Sequence, residues 1–315
     1  MKLTEARIAV MVLILLLMTF SACGAGVPAL LPVVASRTST VVPVIETLTP
    51  LPATPTAVPT STLALLNLNP QIIALAENLP EPDDLVLAPD GSIYMSDVTE
   101  GTIKQYTSTG QLNLTLSGLR SPEGMAFLPD GSMVIAEQGA NRLIRYDLNS
   151  KTLTPFLDLP NHTDQLGVDG ILWDGMNLIV PDSPNGTVLE VSADGQTVRQ
   201  LASGLARPTG AWLESTGDLL IADENGDAVY RLHRDGTLEK VADFFIPDDV
   251  VEDASGNIFV VTLGDDAIHL LTAGTHQDII LVSGLNEPQG IIFDMDGNLI
   301  VTDSGNHRLL RVLIH

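Results

Sequence analysis

Residues 121–137 read SPEGMAFLPDGSMVIAE, and residues 287–303 read EPQGIIFDMDGNLIVTD. Both consist of a proline, a polar residue, a glycine, an apolar run, a glycine nine residues after the proline, a second apolar run and a closing acid. Closely similar frames start at other prolines, so that Pro82, Pro122, Pro208, Pro247 and Pro288 are separated by 40, 86, 39 and 41 residues. The gap of 86 holds two periods with one proline missing. Six repeats of about 41 residues therefore begin near residues 82, 122, 167, 208, 247 and 288.

Inside one period, short apolar or β-branched runs such as GMAFL, SMVIAE and RLIRYD are divided by turn residues, Asp-Gly and Gly-Asn among them. Such runs read as antiparallel strands joined by tight turns, and no stretch has helical spacing. Four strands in about 41 residues match one propeller blade. The predicted fold is an all-β, six-bladed β-propeller of four-stranded antiparallel blades. Leu119, Leu205 and Leu285 each stand three residues before a landmark proline, at the end of a blade, and Leu79 holds that place before the first blade exists. The chain ends in RLLRVLIH, after the third strand of blade six. The segment from Gln71 to Leu79 is therefore expected to complete that blade and close the ring.

PQGIIFDMDGNLIVTDSGNHRLLRV resembles an NHL repeat, with Asn306-His307 at the name-giving position, and GANRLIRYD of blade two is similar. IPDDVVEDASGNIFVVT resembles the SMP-30/gluconolactonase group. The resemblance spans about residues 70–315. It implies the propeller, and for activity it implies metal-dependent lactonases, lyases or binding scaffolds. In the lactonase group an early Glu, two Asn and an Asp in a Pro-Asp-Gly context hold the metal. Asp248 matches the last of these, Asp83 stands in place of the Glu, and Val168 and Thr209 occupy the asparagine places. A streptogramin-lyase-like activity would need a catalytic histidine on the same face, for which His162 and His307 are the candidates.

Residues 1–22 read as a lipoprotein signal peptide: Lys2 and Arg7, then an apolar run of thirteen residues, too short for a membrane span, then small residues before Cys23. This resembles a lipobox, and it makes Cys23, the only cysteine, the lipidated first residue of the mature chain. Residues 23–62, rich in Pro and Thr, read as an extended tether. Residues 63–315 hold the propeller. The expected location is the cell envelope, extracytoplasmic, held to the membrane by the lipid anchor alone.

The formal net charge is −24. Such a field repels nucleic acid and draws metal ions or cationic ligands, although acidity also serves solubility. The acids fall into three sets. Asp90, Asp130, Asp194, Asp235 and Asp296 sit beside turn glycines, where Asp bonds local backbone amides. Asp97, Glu137, Asp182, Asp223 and Asp303 end second strands, with Thr262 in blade five, and read as ties for the following loop. The third set heads the inner strands, which converge on the axis. The position after the proline holds Asp83, Glu123, Thr209, Asp248 and Gln289, with Val168 expected in blade three, and the next holds Asp84, Gly124, Asp169, Gly210, Asp249 and Gly290.

Oxygen donors from several blades aimed at one axis suit calcium, which takes six to eight of them. Asp83, Glu123, Asp248 and Gln289 are the expected ligands of a divalent metal, calcium foremost. The bland alternative is a water-filled acidic mouth. His162 and Asp169, in or next to the long loop LPNHTDQLGVDG (residues 159–170), are the candidate catalytic pair. The first reading is a monomeric binding module for a small molecule, a peptide or an envelope protein. The alternative is a metal-dependent lactonase or esterase-type hydrolase. Trp173 and Trp212 lie on inner-strand segments and read as core.

Overall fold

The computed structural model describes residues 66–160 and 167–315; the expected signal, Cys23 and the whole expected tether, together with His162 and Asp164, lie outside the described residues. The described chain forms six four-stranded antiparallel sheets arranged as a six-bladed propeller. The inner strands are Pro82–Leu87, Pro122–Phe127, Leu172–Trp173, Pro208–Leu213, Pro247–Glu252 and Pro288–Phe293. We call the end at which they begin the mouth and the opposite end the turn face.

Burial follows strand position within a blade. The second strands, such as Met133–Glu137 and Leu299–Asp303, are buried at every residue but Asn177 because a neighbouring blade covers each of their faces. The outer strand Leu112–Ser117 is exposed or half-buried throughout. Six apolar clusters fill the six gaps between neighbouring blades. Fully burying one Leu, Ile or Phe of such a cluster contributes roughly 1.5–3 kcal/mol, and no blade can bury both faces without its neighbours. The cluster of Leu85, Ile93, Met95, Ile300 and Leu309 joins the first blade to the last. In that last sheet Gln71–Glu77 pairs antiparallel with Arg308–Leu313, from Gln71 opposite Leu313 to Glu77 opposite Arg308. Among the described residues no helix is long and apolar enough to cross a membrane.

The turns explain the glycine nine residues after each proline. Gly91 has φ +82°, a conformation that costs glycine little, and Asp90 Oδ1 accepts the Ser92 N–H at 2.9 Å. Asp130 does the same for Ser132 at 3.0 Å. In the last blade the task passes from Asp296 to Asp294, whose Oδ1 accepts the N–H groups of Asp296 and Asn298.

The acids that end second strands are ties. Glu137 accepts the Arg120 N–H at 2.9 Å and pairs with Arg142 at 2.5 Å. Asp223 accepts the N–H groups of Ala206 and Arg207. Asp303 accepts from the Asn286 N–H, the Asn306 side chain and Arg308. Asn306-His307 forms the corner that follows. His307 adopts φ +60°, and its Nδ1 lies 2.9 Å from the Pro80 carbonyl oxygen.

One expectation of register fails. In blade three Leu172 pairs with Ile179 and Trp173 with Leu178, and the turn between them is one residue shorter than in blade two. The Gly124 N–H donates to the Asp169 carbonyl at 3.3 Å, and Gly124 packs against Gly170. Asp169, not Val168, is therefore the counterpart of Glu123. Val168 is fully buried in the place of the landmark proline.

Candidate functional site

Two layers of inner-strand heads surround the mouth of the channel. The outer layer carries Asp83, Glu123, Asp169, Thr209, Asp248 and Gln289, one from each blade. The inner layer carries Asp84, Gly124, Gly170, Gly210, Asp249 and Gly290. The glycines let the strands crowd together: a Cβ on Gly124 would stand 2.4 Å from the Ile171 nitrogen, and one on Gly170 would stand 2.7 Å from the Thr209 oxygen. Close approach of the backbones draws the outer-layer side chains into a small space.

That space holds six carboxyl groups counting both layers, and one guanidinium. Arg207, just before the fourth inner strand, donates to Asp169 Oδ2 at 2.7 Å and also pairs with Glu224. The Gln138 amide lies 3.4 Å from the same Asp169 oxygen. Asp83 and Glu123 are neighbours in the ring, and the charge of Asp83 raises Glu123. The Thr209 hydroxyl donates to the Asp248 backbone carbonyl at 2.6 Å, so it ties two inner strands together.

Burial raises every one of these acids. Asp83 is pushed up to about 6, mainly by desolvation, with the Asp169 carboxylate adding to the rise. Desolvation and the charge of Asp83 hold Glu123 well above the carboxylate range. Asp248 is also well above it, through desolvation and then the Asp169 charge. Asp169 rises less, because Arg207 opposes its desolvation. In the inner layer Asp249 is pushed up to about 7, and Asp84 lies well above its ordinary value through burial and the facing Asp249. In each case the neutral form is favoured because little else there compensates charge.

The expected site residues thus divide. Asp83, Glu123, Asp248 and Gln289 do share one ring, and Asp169 joins them there. His162 lies outside the described residues. No described histidine lines the channel: His307 sits exposed at its corner, and His269 is held between Asp265 and Asp278. Arg207 and Gln138 were missed by sequence reasoning. Arg207 immediately precedes a landmark proline, and that position was the available signal.

Below the inner layer the channel widens into a cavity of about 380 Å³ that reaches the turn face. Its walls are apolar, with Phe127, Trp173, Trp212 and Phe293 toward the turn-face end of the strands. Trp173 and Trp212, expected as core, are half-buried lining residues whose other faces pack between blades.

Residues 285–311 match the NHL repeat family model. That segment covers the first two strands and most of the third strand of the last blade, with the Asn306-His307 corner described above. Solved structures similar to this chain include a putative gluconolactonase at 19% identity and TM-score 0.65, covering 79% of this chain and 93% of the other. Regucalcin from Agrobacterium tumefaciens, described as a calcium-binding protein, aligns at 17% identity and TM-score 0.64 over 76% and 92% of the two chains. Streptogramin B lyase aligns at 16% identity and TM-score 0.61 over 78% and 98%. At such identities the likeness establishes a shared propeller fold. Among curated proteins no relative matches.

Proposed function

We propose that the protein is a lipid-anchored, extracytoplasmic binding propeller whose mouth takes a divalent cation, calcium foremost, and through it a small-molecule, peptide or envelope-protein ligand. The observation that carries this reading is the ring of buried carboxyl groups from Asp83, Glu123, Asp169 and Asp248, faced by Arg207 as the counter-charge bonded to it. Five of the six carboxyl groups of the two layers have no basic partner among the described residues.

The donor set fits in kind. It is oxygen throughout, with neither thiolate nor imidazole, and hard cations prefer such sets. Asp83, Glu123, Asp248 and the Gln289 amide would hold the ion, and Asp169 would stay with Arg207. Among the described residues no group of three His, Cys, Asp or Glu side chains is close enough to hold an ion as it stands. Binding therefore has to draw these side chains together and ionise carboxyl groups that burial raises. When bound, such an ion would supply Lewis acidity to a ligand oxygen.

A hydrolase of lactones or esters is the second reading. It is favoured by Asp83, whose carboxyl at about 6 lies in the range useful to a general base. A lyase requiring a channel histidine has no candidate among the described residues.

The test is the melt and the elemental content of the purified protein with calcium, with manganese or zinc, and after EDTA, followed by a lactone and ester screen. A melt raised by one ion and flattened by Asp248→Asn supports the cation site. Turnover that depends on that ion moves the assignment to the hydrolase. No bound ion and no shift removes both readings and leaves the acidic mouth as a solvated surface.

A further inference from the structure

The cavity below the inner layer differs from the mouth in every chemical respect. Asp84 and Asp249 are the only ionisable residues on its wall, and both stand at its upper end. Everything else there is aliphatic, aromatic, glycine or proline. No Lys, Arg or His faces the pair from within the cavity.

The two acids are held differently. Asp249 is fixed by its backbone surroundings: Oδ1 accepts the Val250 N–H at 2.8 Å and Oδ2 accepts the Ile291 N–H at 3.1 Å. Asp84 Oδ1 accepts the Leu85 N–H at 2.6 Å. Its Oδ2 reaches across the channel, 3.6 Å from where a Cβ on Gly170 would stand, and accepts no hydrogen bond from the described protein groups. This oxygen is an open acceptor above an apolar chamber. Glycine at four of the six positions of the layer lets neighbouring strands close on one another, since a Cβ there would meet the next strand.

We propose that the lower channel is a binding site for a primary ammonium compound with an aryl or alkyl body, its amine at Asp84 and Asp249 and its body between Trp173, Trp212 and Phe293. Three features select this class. A volume of about 380 Å³ falls within the range of small-molecule sites, roughly 300–1,000 Å³. The apolar wall rewards an apolar body, and the indole faces favour a cation near them. The acid pair admits a donor or a positive charge and rejects a carboxylate, which would add a like charge with nothing to offset it. The site is separate from the proposed cation site at the mouth and does not depend on it.

Trp173 and Trp212 are the only tryptophans of the chain, and both line the cavity, so intrinsic fluorescence reports its occupancy. The experiment titrates the full protein with 2-phenylethylamine, with 2-phenylethanol and with 3-phenylpropionate, in EDTA at pH 7.5. The expected result is a saturable fluorescence change with the amine, at least tenfold weaker binding of the alcohol, and none of the carboxylate. Asp84→Asn should weaken the amine at least tenfold, and Trp212→Leu should remove most of the signal change. Asp248→Asn, at the mouth, should abolish any calcium shift while saturable amine binding persists, so the two sites fail or stand independently. Asp249→Asn is not relied on, because that side chain also fixes two backbone N–H groups. Equal binding of amine and alcohol would overturn the proposal, as would an amine titration without saturation in the unmodified protein.

Discussion

Two rings of acids, both buried, lie within one blade width of each other and behave differently. Asp97, Glu137, Asp223 and Asp303 close the second strands, and each accepts hydrogen bonds from backbone N–H groups or pairs with a Lys or Arg. Asp83, Glu123 and Asp248 head the inner strands and have one another for neighbours. Residue type and burial are the same in the two rings, so neither separates scaffold from site. The difference is partners. A buried acid supplied with donors is part of the framework, whereas a buried acid facing other acids stores an electrostatic cost that a ligand can relieve.

The contrast is broken most severely by removing a member of the framework ring. Asp303→Ala leaves Arg308 and the Asn286 N–H without their partner, and should cost roughly 3 kcal/mol, a melt lower by about 6–12 °C, read by calorimetry. A loss below about 1 kcal/mol would mean that the ties are decoration.

Acidity gives the next largest effect. Asp83 and Asp249 rise from 3.8 to about 6 and about 7 on folding, so the folded state holds more protons than the unfolded one between those values. Stability should then fall as pH rises from about 4 to about 7, by roughly 1.4 kcal/mol for each pK unit by which folding raises a group. Melts in EDTA across this range should drop steadily, and calcium should flatten the curve. A metal-free melt that stays flat through the same window would show the mouth acids to be solvated.

Asp248→Asn sharpens the comparison from the other side. Removing an acid from the ring should raise the metal-free melt at pH 7.5 by about 1 kcal/mol and remove the response to calcium. Last and smallest, Arg207→Gln deletes the counter-charge bonded to Asp169, and calcium affinity should rise several-fold by titration calorimetry.

The architecture was legible in the chain because each blade repeats the same physical requirement. A turn glycine with positive φ must follow the inner strand at a fixed distance, and a buried second strand must follow the turn. Blade three was misread by one residue. It lacks the landmark proline and has a shorter turn, so counting by the average period placed Val168 where Asp169 stands. That slip placed Asp169 in the layer of Asp84 and Asp249 instead of beside Glu123 and Asp248. The two tryptophans were misjudged for a related reason: periodicity places a side chain on a strand, but an inner strand has both a packed face and a channel face. Arg207 was invisible as a partner of Asp169 because 38 residues separate them in sequence and only ring closure brings them to 2.7 Å.

The most direct test of the central claim is a calcium titration by calorimetry of the EDTA-stripped protein at pH 7.5, repeated in two buffers of different ionisation enthalpy. The account predicts a single saturable site, heats that differ between buffers because the buried, raised carboxyl groups release protons on binding, and loss of the site in Asp248→Asn. Absence of binding, or binding that Asp248→Asn leaves intact, would contradict it.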